Sequence, residues 1–328
     1  MRLRTRRRHL VTTAAVMLSG VSASFALPAG AQADTGGADY VAIGDSTTTG
    51  NSIATCRSDR VTSIDGCSGP APAKAYPDRI AEDPRFSNVK RIGIWGYTAG
   101  EAVIAANNGK NAEGPWTPQL LEAEKAKKLV TVSLGANDMR FGDVKRWMAE
   151  CLGRQLTTAR RATCSDAAKK RAEGIRPTVR GMMNRLDTAK ANGAQVVITL
   201  YYNPYNATKQ VGPWSAAPRD CTPFWAMSEI ISGQLNRVLS EEATKHGFTL
   251  ADLRPRFAGH GAGAKDSYVF GTECDVVKAA PAASFNLRWP PQKSPVNISQ
   301  AEMAFRFDPH PNAKGTQAQA DQILTVVK

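Results

Sequence analysis

Past its first 33 residues the 328-residue chain has no apolar run approaching the ~18 uninterrupted residues of a membrane span. It has no Cys-x-x-Cys or His-x-x-x-His spacing, so the usual metal-binding patterns are missing. No His-Glu-x-x-His, phosphate-loop or Gly-x-Gly-x-x-Gly motif occurs. No Gly-x-Ser-x-Gly nucleophile elbow occurs either. Aromatics are scarce at 7%, but 42% hydrophobic and 22% charged residues make a soluble globular composition. Collagen-like, disordered and small disulfide-scaffold classes are thereby excluded. No metal and no cofactor are expected, and no nucleic-acid partner.

What is present begins with a basic leader. Residues 1–33 hold five Arg, no Lys and no acid, and without them the net charge falls from +13 to +8. An apolar, small-residue stretch from Leu10 to Leu27 follows and closes on Ala31-Gln32-Ala33. This pattern reads as a secretory signal cleaved before Asp34, with an uncleaved anchor as the competing reading. Thr5-Arg6-Arg7-Arg8-His9-Leu10 also resembles a twin-arginine export signal. The remainder, 34–328, shows no internal repeat and no dividing linker, and is read as one domain, expected to be monomeric. Its excess of +8 fits either attraction to anionic lipid or wall polymer, or an ordinary solvated basic surface. Export makes an oxidising compartment and three disulfides the expectation for the six Cys. Among the 15 connectivities open to six Cys, neighbour pairing closes the shortest loops: Cys56–Cys67, Cys151–Cys164 and Cys221–Cys274.

Five short apolar runs end in Gly or polar residues, as buried parallel strands do when they enter functional loops. They start at Tyr40, Val89, Leu129, Val196 and Phe248. Between them lie helical patterns: Ile175-Val179-Met182-Leu186-Ala189 before Gly193, Met227 to Leu239 before Gly247, and a shorter one from Gln119 to Lys127. A last helix is expected from Ala313 to Val327. Alternating strands and helices imply an α/β fold in three layers, with a central parallel sheet of five strands. Ligands in such sheets sit beyond the carboxyl ends of the strands. Residues 203–222 and 254–300 read as long loops over that end, with Trp214, Trp225 and Trp289 as pocket-lining or core residues.

Gly44-Asp45-Ser46 follows the first strand, where a Ser hydroxyl at a strand-to-helix turn is exposed for attack, or where Asp45 or Ser46 simply caps the next helix. Gly135-Ala136-Asn137-Asp138 follows the third strand, and an Asn there can aim a neutral donor at a developing oxyanion. Phe307-Asp308-Pro309-His310-Pro311-Asn312 supplies a base of suitable pKa just before the last helix. Of the other His, His9 leaves with the leader, His246 sits where it would cap helix carbonyls, and His260 lies between glycines in a loop.

In this order, from Gly44 to His310, the blocks resemble the GDSL, or SGNH, hydrolase superfamily. The resemblance implies a serine esterase or lipase acting on lipid or acylated carbohydrate, with Ser46 as nucleophile, His310 as base, and an oxyanion hole of the Ser46 amide, the Gly96 amide and the Asn137 side chain. Trp95-Gly96-Tyr97-Thr98 stands in place of the family's glycine block, with Arg91 where that block often has Asn. The family commonly has Asp-x-x-His; here Asp308 is two residues before His310, so either Asp308 or the Phe307 carbonyl orients the imidazole. The leader and six Cys look like the secreted lipases and esterases of actinobacteria. The same site could serve an acyltransferase or deacetylase of envelope carbohydrate; a non-catalytic wall-binding protein would be expected to lack Ser46, Asn137 or His310.

Overall fold

The computed structural model describes residues 37–50, 74–108, 118–140, 147, 151, 158–205, 209–210, 219–220, 222–270 and 309–328. In chain order the elements are β1 (Tyr40–Gly44), α1 (Ser46–Thr49), α2 (Tyr76–Ile80), β2 (Val89–Gly93), α3 (Ala99–Asn108), α4 (Gln119–Ala123), β3 (Leu129–Ser133), α5 (Thr158–Ala191), β4 (Gln195–Leu200), β5 (Lys209–Gln210), β6 (Arg219–Asp220), α6 (Thr222–Lys245), β7 (Thr249–Asp252), α7 (Arg254–Phe257) and α8 (Ala313–Leu324). All five apolar runs form strands of one sheet, in the order β2-β1-β3-β4-β7. Every pairing in it is parallel, with Tyr40 opposite both Val89 and Leu129.

Side chains alternate across the sheet because strand residues point to opposite faces. Val41, Ile43, Val130, Val132, Val196 and Ile198 pack with apolar residues of α3, α4, α5 and α6. Tyr40, Ala42, Leu129, Val197 and Ala251 pack with Tyr76 and Ile80 of α2 and with Ala320 and Ile323 of α8. The result is the three-layer α/β arrangement expected from the alternation of strands and helices. Both faces of the central strands are dry, and each fully buried Ile or Leu contributes about 1.5–3 kcal/mol.

The helices are longer or shorter than their large apolar residues suggest. Helix α5 runs back from Ile175 to Thr158 because small buried residues, Cys164, Ala168 and Ala172, carry its packing stripe through that half. It also retains Pro177 in its interior. Cys151 and Cys164 are bonded to each other, with Cα atoms 4.4 Å apart. Helix α6 starts at Thr222 rather than Met227, and the terminal helix stops at Leu324. The segment 203–222 is not wholly loop, since β5 and β6 form a short antiparallel pair within it. Trp225 on α6 is partly buried against the core. The Cys56–Cys67 and Cys221–Cys274 pairings, Trp214 and Trp289 lie outside the described residues. Among the described residues no helix is long and apolar enough to cross a membrane.

The chain passes from β1 to β2 on one side and then to β3 on the other side of β1. A parallel sheet opens a crevice where its strand order reverses in this way, beyond the strands' carboxyl ends. Asp45-Ser46 and Gly135-Ala136-Asn137 leave the sheet on either side of it.

Candidate active site

Ser46 is the first residue of α1, and the turn that delivers it is tightly built. Asp45 is the N-cap; its Oδ1 accepts from the Thr47 amide at 3.0 Å and from the Thr47 hydroxyl at 2.7 Å. The Asp45 amide in turn donates to the Ser133 carbonyl at the end of β3 (3.0 Å). Gly44 is held by the buried side chain of Gln119, which accepts from its amide at 2.9 Å and donates to its carbonyl at 3.0 Å. No larger residue fits there, because a Cβ on Gly44 would lie 2.0 Å from Thr48 Oγ1 and 2.7 Å from the Ser133 carbonyl. Ser46 itself is only 8% exposed.

Its hydroxyl meets an imidazole. Ser46 Oγ and His310 Nε2 are 2.7 Å apart, although the residues are 264 positions apart in the chain. The histidine loop is fixed from several directions. Tyr202 donates its hydroxyl to the Pro309 carbonyl at 2.8 Å, and the Phe270 amide donates to the His310 carbonyl at 2.9 Å. Asn312 caps α8 through Oδ1, which accepts from the Lys314 and Gly315 amides, while its Nδ2 donates to the Ser267 and Val269 carbonyls. Phe307 and Asp308 lie outside the described residues.

The third element is the turn after β3. Asn137 donates one amide hydrogen to the Tyr97 carbonyl (3.0 Å), which brings it against the Gly96-Tyr97 turn after β2. Gly96 has φ 75°, a left-handed conformation that a side chain would strain. Asp138 next to it accepts from the Ala99 and Gly100 amides at 2.8 and 3.2 Å, joining the turn to the start of α3. Burial pushes the Asp138 carboxyl up to about 6, although those two amides pull it down. Thr98 and Glu101 complete a capping box: the Thr98 hydroxyl accepts from the Glu101 amide, and the Glu101 carboxylate accepts from the Thr98 amide.

Burial also raises the Asp45 carboxyl, against its bonds to Thr47 and Tyr201 and the nearby charge of His310. Among the described residues no three His, Cys, Asp or Glu side chains converge as a metal site. A hydroxyl in contact with an imidazole nitrogen can give up its proton as it attacks an electrophilic carbon.

The model of the GDSL-like lipase/acylhydrolase family matches residues 42–318. The chain belongs to that family. A lipase of Streptomyces rimosus is 28% identical over 258 residues, covering 76% of this chain and 81% of that protein. Lipase 1 of Streptomyces coelicolor is 27% identical over 257 residues, with the same coverage of each. The crystal structure of an extracellular lipase from Streptomyces rimosus superposes with a TM-score of 0.56 at 20% identity, over 88% of this chain and 99% of that one. The protein is a carboxylic ester hydrolase of the GDSL type.

Other residues of this hydrolase were not singled out by the sequence. Gln119, Tyr201, Tyr202 and Asn236 all hold backbone or side chains of the site segments, yet in the sequence they stand inside or beside apolar runs and read as core. Thr98-x-x-Glu101 was a legible signal for the start of α3. Arg91, in the middle of β2, pairs with Asp78 of α2. His246 does not cap carbonyls: its Nδ1 meets Asp187 Oδ2 at 2.7 Å, and its ring packs on Phe248. His260 is stacked on Tyr268 with ring centres 4.0 Å apart, which anchors the loop that supports His310.

Proposed function

We propose that the protein is a secreted serine esterase or lipase working through Ser46 and His310. The observation that carries this reading is the 2.7 Å contact between Ser46 Oγ and His310 Nε2. Ser46 Oγ attacks the ester carbonyl carbon while its proton passes to Nε2. The resulting oxyanion is held by the Ser46 and Gly96 amides and by the second hydrogen of the Asn137 amide; removing one such donor costs about 2.7–4 kcal/mol of transition-state stabilisation. Collapse expels the alcohol, which takes the proton from His310. Water then attacks the acyl-enzyme carbonyl and gives a proton to His310, and collapse of this second intermediate breaks the bond to Ser46 Oγ, which takes that proton back as the acid leaves. The group that orients the imidazole is either the Asp308 carboxylate, which would also offset the charge the ring acquires, or the Phe307 carbonyl.

Secretion rests on the basic, apolar, Ala-x-Ala-ended leader of residues 1–33. Two relatives are named lipases, which favours lipid acyl esters as substrates. The mature charge of +8 would favour peripheral contact with anionic lipid or wall polymer. The test is Ser46→Ala in the purified mature protein, assayed on esters from acetyl to long-chain acyl beside a phospholipid. Hydrolysis should fall to background on every ester with an unchanged unfolding curve. Thr47 offers no substitute, because its hydroxyl is committed to Asp45 and Ser133. Appreciable turnover in the variant would remove Ser46 from the mechanism.

A further inference from the structure

Behind the nucleophile lies a buried hydroxyl and carboxylate cluster that the mechanism above does not use. Tyr201, at the end of β4, donates its hydroxyl to Asp45 Oδ2 at 2.9 Å, so the two Asp45 oxygens are shared between Tyr201 and Thr47. The Thr47 hydroxyl lies 2.7 Å from that of Ser133. Burial and the Asp45 charge raise the Tyr201 hydroxyl well above its ordinary value, while the neighbouring Ala136 amide and Ser133 hydroxyl pull it down. The Asp45-Ser46-Thr47 turn is therefore tied to Tyr201 on one side and, through the Thr47 hydroxyl and the Asp45 amide, to Ser133 at the end of the strand that leads to Asn137 on the other. The Tyr201 backbone is fixed as well: Asn236 of α6 accepts from its amide and donates to its carbonyl, both at 2.8 Å.

We propose that Tyr201 is a positioning residue, which through Asp45 keeps the Ser46 turn in register with the Asn137 turn and keeps the Asp45 carboxylate charged behind the Ser46–His310 pair. This rests on the roles given above to Ser46 and His310. A carboxylate with almost no exposure needs donors for both oxygens to stay ionised. The titratable groups that face Asp45 are Tyr201 from the end of β4, Tyr76 from α2, and His310. Only the last carries positive charge during turnover. A charged Asp45 favours that imidazolium, and a neutral one does not.

The experiment is a double-mutant cycle on ester hydrolysis with Tyr201→Phe, Asp45→Asn and the pair combined. Tyr201→Phe should lower kcat about tenfold, the equivalent of one pKa unit on the imidazolium, with KM within twofold. The acid limb of its rate profile should move to lower pH, since an imidazolium that is less stabilised loses its proton sooner. The double variant should be no slower than Asp45→Asn alone. A Tyr201→Phe protein that melts lower but keeps its kcat and its acid limb, or two losses that simply multiply, would overturn the proposal. If Tyr201→Phe does not fold, 3-fluorotyrosine at this one position keeps the shape and strengthens the donor. A shifted acid limb is then expected, and an unmoved one overturns the proposal. An enzyme abolished by Ser46→Ala yet indifferent at Tyr201 refutes this inference alone, whereas activity surviving Ser46→Ala refutes the reading beneath it.

Discussion

Replacing Asp138 by Asn takes a buried charge out of the turn that carries Asn137. The carboxylate accepts from the Ala99 and Gly100 amides, but burial outweighs them and lifts its pKa from an ordinary 3.8 to about 6. Ionising this side chain in the folded protein therefore costs about 3 kcal/mol more than in the unfolded chain. The direction with pH follows from proton counting. Below about pH 4 the group is protonated in both states and the full contribution to stability is present. As pH rises toward 6 the unfolded chain releases the proton while the folded protein keeps it, so stability falls, and above about pH 6 the loss is complete. Asn does not titrate, and the remaining carboxylates cancel when wild type and Asp138→Asn are compared. Urea unfolding of both proteins from pH 4.5 to 7.5 should show wild-type stability declining relative to the variant by about 2 kcal/mol, the share of the total that lies in that window. A pH-independent difference, or wild type gaining on the variant as pH rises, would refute the argument that desolvation dominates at this carboxylate.

Asp308→Asn tests how the imidazole is held: with the carboxylate as third member of the triad, kcat should fall by about 10⁴. A loss of only about tenfold would transfer that role to the Phe307 carbonyl. Non-reducing peptide mapping of the exported protein should recover Cys56–Cys67, Cys151–Cys164 and Cys221–Cys274, each stabilising by about 2–4 kcal/mol. Free thiols or crossed pairs would refute that framework.

The strands were legible because each is buried on both faces, so Tyr40 to Ile43 or Leu129 to Val132 stand out as continuous apolar runs with a Gly or polar stop. Helices were harder where small residues do the packing. Cys164, Ala168 and Ala172 bury the first half of α5 without any of the Leu or Ile that periodicity detects. Helix α3 escaped for the same reason, since Ala99, Ala102, Ala105 and Ala106 are its buried positions. At the site, Ser46, Asn137 and His310 were conspicuous as polar residues ending apolar runs or standing in Pro-bounded turns. Tyr201 and Gln119 were not, because what makes them matter is a partner 156 or 75 positions away, and sequence spacing holds no trace of such pairs.

The separation of 264 positions between Ser46 and His310 has a bearing on how the enzyme comes into being. The ribosome delivers the β1 turn first and the histidine loop almost last, with synthesis at about 5–20 residues per second placing tens of seconds between them. Throughout that interval the nascent chain carries a serine with no base beside it. The sheet itself cannot hurry the meeting, because parallel pairings between distant segments close slowly. If Ser46 and His310 work as proposed, catalytic competence arrives only when α8 docks on α2, a built-in delay that gives the hydrolase the latency of a zymogen without a propeptide to remove. On that mechanism ester turnover becomes a readout of chain completion, and a truncation before residue 310 should abolish it, losing both the base and the helix that covers Tyr40, Ala42 and Leu129.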